Sequence, residues 1–196
     1  MPKTADSNLP VMGLDEVRKA RAFHESFPQY SVTPLAKLDR MASRLGLKEV
    51  YVKDESYRFG LNAFKVLGGS FAMARYIAKQ TGKDVSELPY NVLTSEELRK
   101  EFGQATFFTA TDGNHGRGVA WAANKLGQKA VVLMPKGTTH TRPNNILADG
   151  AQAKIDEYNY DEMRPMAKAM AEQTEKGVTV MATAWDENGE DTSRSS

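Results

Sequence analysis

The chain has 196 residues, enough for one large domain or two small ones. Its 26 Lys and Arg residues nearly balance its 25 Asp and Glu residues without forming a basic face, so no nucleic-acid partner is expected. The absence of cysteine excludes disulfides, thiolate metal sites and a cysteine nucleophile. No stretch approaches the roughly 20 apolar residues that span a bilayer. The first residues also lack the order of a signal peptide, so we expect a cytoplasmic protein without a membrane partner.

The first half of the chain is predicted to contain three helices and one short strand. Residues 14–27 have the spacing of an amphipathic helix. The pair Thr33-Pro34 is typical of a helix start, with the threonine as N-cap, and Gly46 is typical of the end of that helix. The apolar residues 50–52 predict a strand, and residues 65–79 return to a helical pattern rich in small side chains.

Strands alternate with helical segments through the second half. A capping box at residues 94–97 precedes them. The predicted strands are 105–109, 130–134, 153–155 and 178–181, and the predicted helices are 116–126 and two that end near 148 and 176. Such alternation favours an α/β fold in which helices flank a parallel sheet. Residues 186–196 include no apolar side chain and are predicted to be a disordered tail.

The first candidate for chemistry is Lys65, at the start of a predicted helix. A lysine in this position is normally a solvated helix end. The other interpretation is a nucleophile, because the helix dipole and partial burial would both favour the neutral amine that forms a Schiff base. The residues alone leave both interpretations open.

The second candidate is the polar segment 109–118, which joins a predicted strand to a predicted helix. Free backbone N–H groups at a helix start bind anions, and glycines let a ligand approach closely. The glycine spacing is G-x-x-G-x-G, which differs from the G-x-G-x-x-G of a dinucleotide site. An ordinary polar turn is the alternative. His115 in this segment is expected to orient or pack rather than to act as a base.

Other catalytic arrangements are not indicated by the sequence. The three histidines, His24, His115 and His140, lack the helical spacing of a metal site, so no metal is expected. No Ser-His-Asp arrangement with recognisable flanks occurs. Lys136 is either a phosphate contact or a residue of an ordinary loop after a strand.

Together, the two candidate segments resemble the fold-type-II enzymes that use pyridoxal 5'-phosphate (PLP), the tryptophan synthase β-like proteins. Residues 53–55 read Lys-Asp-Glu, residues 62–65 read Asn-Ala-Phe-Lys, and residues 111–115 read Thr-Asp-Gly-Asn-His. Their order, spacing and element types agree with that family. Within it, most of residues 15–185 look like the diaminopropionate ammonia-lyases. Asp112 is the most specific mark, since threonine dehydratases and cysteine synthases usually carry a small residue there.

The resemblance implies PLP as cofactor and β-elimination of 2,3-diaminopropionate to pyruvate and ammonia. Lys65 would hold PLP as a Schiff base and act as the base for the L isomer, whereas Asp112 would act for the D isomer. Asn114 would bond the pyridoxal 3'-oxygen. The substrate carboxylate would be bound by three loop residues, Thr111, Gly113 and His115. A serine/threonine dehydratase is the rival enzyme, against which Asp112 counts.

The resemblance also implies that the chain is truncated, because members of this family are roughly twice as long. We expect residues 1–94 to be an incomplete N-terminal part of the large PLP domain and residues 95–185 to be the smaller parallel α/β domain. A glycine-rich loop for the PLP phosphate is not found, and Ala182 replaces an acidic residue of the ammonia-lyases. The expected partner is a second copy or a complementary C-terminal half. A non-catalytic fragment is the alternative.

Overall fold

The structure, a computed structural model, describes residues 13–111, 113–139, 141–155 and 157–181. Asp112, Ala182 and the predicted tail therefore lie outside the described residues. The helices are α1 (Leu14–Glu25), α2 (Asp39–Leu45), α3 (Val66–Thr81), α4 (Tyr90–Leu93), α5 (Glu96–Phe102), α6 (Asn114–Lys125), α7 (Thr141–Ala148) and α8 (Tyr160–Glu172). The strands are β1 (Leu35–Lys37), β2 (Tyr51–Lys53), β3 (Thr106–Ala110), β4 (Lys129–Met134), β5 (Gln152–Ile155) and β6 (Gly177–Thr179). Short 3-10 helices span Glu55–Gly60 and Val85–Glu87.

The main sheet has four parallel strands in the order β5-β4-β3-β6. Successive residues of β3 point to opposite faces, so Phe107 joins the hydrophobic cluster with α3 and α6 while Phe108 joins the cluster with α8. Strands buried on both faces are apolar nearly throughout, which explains why β3 and β4 were recognisable as short apolar runs. The predicted α/β fold with helices on both faces of a parallel sheet is confirmed.

One hydrophobic cluster extends across the boundary that we predicted at residue 94. Met73 of α3 and Phe107 of β3 are both fully buried in it. An aromatic group extends the cluster towards the N-terminus, since the ring of Phe27 lies 5.6 Å from Phe59 and 6.0 Å from Trp121 of α6. The division into a large and a small domain stays a prediction.

The predicted helix start at Thr33-Pro34 is wrong. Residues 35–37 form a strand that pairs with β2 in antiparallel fashion, and the helix begins only at Asp39. The hydroxyl of Thr33 is directed to other partners, since it donates to Glu55 at 2.6 Å and accepts from Arg58 Nη2 at 3.0 Å. Gly46 does end the helix, with the φ of 64° that favours glycine. Residues 94–97 likewise do not act as a capping box, since the N-cap of α5 is Ser95, whose side chain accepts from the Leu98 N–H at 3.2 Å.

Residues 35–53, which we call the N-terminal β-unit, expose apolar side chains. Every residue of β1 and β2 is exposed, and Ala42 is the buried residue of α2. The exposed large apolar side chains of the unit are Leu35, Met41, Leu45, Leu47, Tyr51 and Val52. A two-stranded sheet that is apolar and exposed on both faces is unusual in an isolated domain. The N-terminal β-unit therefore presents an exposed apolar surface.

Among the described residues, no helix has both the length and the apolar composition needed to cross a bilayer.

Candidate active site

Lys65 immediately precedes α3, with helical backbone angles of φ −61° and ψ −19°. Its side chain is exposed, so the partial burial considered from the sequence is not found. Its backbone, in contrast, lies directly against α6. A Cβ added to Gly118 would lie 2.9 Å from the N and Cα atoms of Val66 and 3.3 Å from the carbonyl carbon of Lys65. Glycine at position 118 thus allows α6 to touch the start of α3, which fixes the root of Lys65 and leaves its amine accessible.

The turn before Lys65 has an unusual backbone. Phe59, Gly60 and Asn62 have φ values of 49°, 72° and 57°, in the left-handed region. Asparagine tolerates this region, whereas a phenylalanine pays about 1–2 kcal/mol for it. The Phe59 ring is held in a buried position 5.0 Å from the ring of Trp121. Packing against α6 thus offsets the local strain and sets the direction in which the chain approaches Lys65.

A partly buried ion pair supports the same turn. Arg58 donates to Glu55 twice, from Nε at 2.8 Å and from Nη2 at 3.0 Å, and it also donates to the Thr33 hydroxyl at 3.0 Å. Its ring neighbour is Tyr30, 5.7 Å away. Hydrogen bonding from Arg58 is the main cause that lowers the pKa of Glu55 below its ordinary value. The Lys-Asp-Glu motif therefore contributes a structural carboxylate, and Lys53 donates to the Thr33 carbonyl on the same side.

The polar segment lies where β3 ends and α6 begins. Thr111 is buried and its hydroxyl accepts from the Gly113 N–H at 3.2 Å, while its own N–H donates to Leu133 at 3.0 Å. Asn114 is the exposed first residue of α6. A Cβ at Gly116 would lie 2.3 Å from the Thr111 methyl group, so glycine lets the helix start rest on the sheet. The first N–H groups of a helix have no intrahelical acceptor, which makes this helix start suitable for an anion.

His115 is buried and its Nε2 lies 2.9 Å from the carbonyl oxygen of Val180. Because a carbonyl only accepts, Nε2 carries the hydrogen and Nδ1 is the free ring nitrogen. Burial is the main cause that lowers the pKa of His115, and the positive charge of Lys65 lowers it further. The neutral imidazole anchors the loop to the residue after β6. The contact of Gly118 with the backbone of Lys65 and Val66 shows that the two segments recognised in the sequence lie close together.

Arg117 connects the two segments and was missed in the sequence. Its Nη1 donates to the Leu61 carbonyl at 3.3 Å and its Nε donates to Asp149 at 3.3 Å. These partners lie 56 and 32 residues away along the chain, so no local pattern indicates them.

A groove of about 310 Å³ lies elsewhere, beside the amino ends of β3 and β4. It is lined by α5, the end of α6 and the turn before β4, including Phe102, Lys125 and Gly127. Ligands of open parallel sheets bind beyond the carboxyl ends of the strands, where Thr111, residues 113–116 and Lys65 lie. The groove therefore does not replace Lys65 and its surroundings as the candidate site.

Comparison with known proteins identifies the family. The family model for pyridoxal-phosphate dependent enzymes matches residues 27–189. The chain belongs to this family. It is 49% identical to the diaminopropionate ammonia-lyase of Salmonella typhimurium over 164 residues, which cover 84% of this chain and 40% of that relative. A biosynthetic L-threonine dehydratase from the same organism is more distant, at 29% identity over 142 residues, which cover 72% of this chain and 23% of that enzyme.

A solved structure of the PLP-dependent family agrees with the fold. The Escherichia coli diaminopropionate ammonia-lyase, in complex with an aminoacrylate-PLP azomethine reaction intermediate, matches with a TM-score of 0.79 and 40% identity. The match covers 91% of this chain and 44% of the E. coli chain. The chain thus has the fold of the PLP-dependent enzymes but spans less than half of the length of the ammonia-lyases that it matches.

Proposed function

We propose that the chain supplies the lysine-bearing half of a PLP site that catalyses β-elimination of 2,3-diaminopropionate to pyruvate and ammonia. The observation that carries the proposal is the backbone contact at Gly118, which holds the root of Lys65 beside the anion-binding start of α6. The 49% identity to an ammonia-lyase supports this substrate over serine or threonine, for which the dehydratase relative is only 29% identical. When bound, PLP supplies the electron sink for loss of a proton from the α-carbon.

The described residues fit the lysine side of such a site. Lys65 has an exposed amine on a fixed root, which is the arrangement needed to bind the PLP aldehyde and then to swing aside for the substrate amine. In the same position, the released amine would take the α-proton of the L isomer. We assign the corresponding role for the D isomer to Asp112, which lies outside the described residues.

We assign the remaining roles to the loop after β3. The exposed amide of Asn114 would bond the pyridoxal oxygen. The substrate carboxylate would accept hydrogen bonds from the start of α6, with Thr111 and Gly113 shaping the turn. His115 would contribute its backbone N–H, because its imidazole is already bonded to Val180. A cluster of backbone donors at a helix start suits a carboxylate and needs no further positive charge.

We further propose that catalysis requires a complementary C-terminal half. Two observations support this requirement: the N-terminal β-unit exposes apolar side chains on both faces, and the matching relatives are more than twice as long. A PLP phosphate also needs several backbone donors of its own, and we assign them to that second half. A second copy of this chain would add no new segment.

Pyruvate formation from DL-2,3-diaminopropionate tests the proposal. The PLP-loaded chain is assayed alone and after refolding with the C-terminal half of the S. typhimurium enzyme, with serine and threonine as comparison substrates. We expect turnover in the refolded pair, its loss in Lys65→Ala, and its retention in the control Lys79→Ala, which removes an exposed lysine of the same helix. Turnover that survives Lys65→Ala, or none in the refolded and soluble pair, would refute the proposal. A faster reaction with serine or threonine would favour the dehydratase.

A further inference from the structure

We propose that Arg117 is a positioning residue that locks the Lys65 segment onto the start of α6. Its two bonds, each 3.3 Å long, run from one guanidinium to the Leu61 carbonyl and to the Asp149 carboxylate. The consequence for catalysis rests on the proposed function, whereas the structural coupling does not.

The bond to Leu61 links the turn before Lys65 to α6. In the described part of the chain, it is the one hydrogen bond between residues 54–65 and α6. Leu61 is buried, and its own N–H donates to Arg58 at 2.9 Å. Its carbonyl is therefore the last backbone group that is bonded to α6 before residues 62–64, which begin with the left-handed Asn62 and lead to Lys65.

The position of Arg117 is not explained by helix stability. It is the fourth residue of α6, where a positive charge opposes the helix dipole. Asp149, at the end of α7, compensates this charge with a side chain that is only 18% exposed. An arginine is suited to the role because it bonds the two partners from different nitrogens, Nε and Nη1, whereas all donors of a lysine share one nitrogen. The arrangement thus joins three elements around the approach to Lys65.

The consequence concerns the distance between the amine and the substrate. Gly118 fixes the backbone of Lys65 and Val66 from one side, and Arg117 fixes the turn that feeds into them. Loss of the guanidinium would leave the Gly118 contact in place but would free residues 61–64 to move. A displacement of about 1 Å at a reacting group lowers the rate by up to roughly a hundredfold.

Amide hydrogen exchange of the chain without PLP tests the coupling. We expect Arg117→Gln to speed exchange of the Leu61 and Leu67 amides, which donate to the carbonyls of Arg58 and Phe64, by about tenfold, the factor that follows from losing one hydrogen bond to a charged group. Exchange in β3 and β4 should stay unchanged. Asp149→Asn is the matched control, because it keeps an acceptor for Nε and leaves the Leu61 bond intact. Unchanged exchange of the Leu61 and Leu67 amides in Arg117→Gln would overturn the inference, as would equal acceleration throughout the chain.

Two further measurements separate positioning from stability and from the proposed function. Arg117→Lys keeps the charge and should restore part of the protection of the Leu61 and Leu67 amides. If Arg117→Gln does not fold, equal protection of these amides in Arg117→Lys and the original chain would overturn the inference. Borohydride trapping of PLP, read by peptide mapping, should fall at Lys65 but not at Lys79 in Arg117→Gln, and equal trapping at Lys65 would count against it. If the original chain traps no PLP at Lys65, the proposed function fails while the exchange result still decides the role of Arg117.

Discussion

Gly118 and Gly68 offer a paired test of the contact that places Lys65. Both are helical glycines at the packed helix pair α3 and α6. A Cβ at Gly118 would meet the Val66 backbone at 2.9 Å, whereas a Cβ at Gly68 would meet no atom within 4 Å. Backbone atoms cannot rotate away, so Gly118→Ala must push the two helices apart by about 0.6 to 1 Å to restore ordinary carbon contacts.

The expected changes in the free energy of unfolding have opposite signs for the two variants. Overpacking of this kind costs about 2–3 kcal/mol, and the better helix propensity of alanine offsets about 1 kcal/mol of it. We therefore expect Gly118→Ala to lower the free energy of unfolding by about 1–2 kcal/mol. Gly68→Ala should raise it by about 1 kcal/mol, since only the propensity changes.

Urea denaturation followed by circular dichroism measures both changes on the same chain. Borohydride trapping of PLP at Lys65 is measured alongside, and we expect it to fall in Gly118→Ala alone. Equal stability of the two variants would refute the close approach of α6 to the start of α3. An unstable Gly118→Ala chain with unchanged trapping would show that the contact serves folding without positioning Lys65.

Three other substitutions test buried polar groups by urea denaturation. Thr109→Val should stabilise the protein by about 1 kcal/mol. The fully buried Thr109 hydroxyl has no hydrogen-bond partner among the described residues, and valine has the same shape. A loss of more than about 1 kcal/mol in the free energy of unfolding would contradict this prediction. Glu55→Gln should cost about 2 kcal/mol at neutral pH, since it leaves the Arg58 charge unpaired in a site with some solvent access. The pKa of Glu55 is lowered from 4.5, so the stability that it contributes is present above pH 4.5 and is lost as the pH falls below it, and the difference between the variant and the original chain should shrink in acid. Burial lowers the pKa of His115 from 6.5, so the unfolded chain takes up the proton first and stability falls as the pH drops below 6.5, by up to about 1.4 kcal/mol per pH unit. His115→Gln should remove the contribution of His115 to this pH dependence and leave the similar contribution of His24, whose pKa is also lowered by burial. A pH dependence that is unchanged in the variant would count against a neutral buried imidazole at position 115.

The sequence was sufficient for the second half of the fold and insufficient for the turn before Lys65. Strands β3 and β4 were found to within one residue, because each is a short apolar run and the αL residue Gly127 marks the boundary before β4. The helix start at Thr33 failed because the threonine hydroxyl is bonded to Glu55 and Arg58, which lie 22 and 25 residues away. Local propensity cannot register such partners.

The candidate site shows the same division between local and distant information. The Lys65 segment and the polar segment 109–118 are each visible as motifs in the sequence, but each also has an ordinary structural interpretation. Their proximity depends on a missing side chain at Gly118 and on an arginine, Arg117, whose acceptor is 56 residues away. From the sequence alone, a glycine in a helix indicates only a lower helix stability. The close approach that requires it becomes apparent only once the partner helix is in place.

The surroundings of Lys65 and the N-terminal β-unit differ in how far packing within this chain supports them. The root of Lys65, the turn before it and helix α6 all pack in one hydrophobic cluster that contains Val66, Val119 and Trp121. These parts of the proposed site therefore need no other polypeptide to be placed. The N-terminal β-unit has no such support, since both of its strands are exposed. A complementary half would thus act on a lysine already in position, and we expect it to contribute cofactor retention more than the geometry around Lys65.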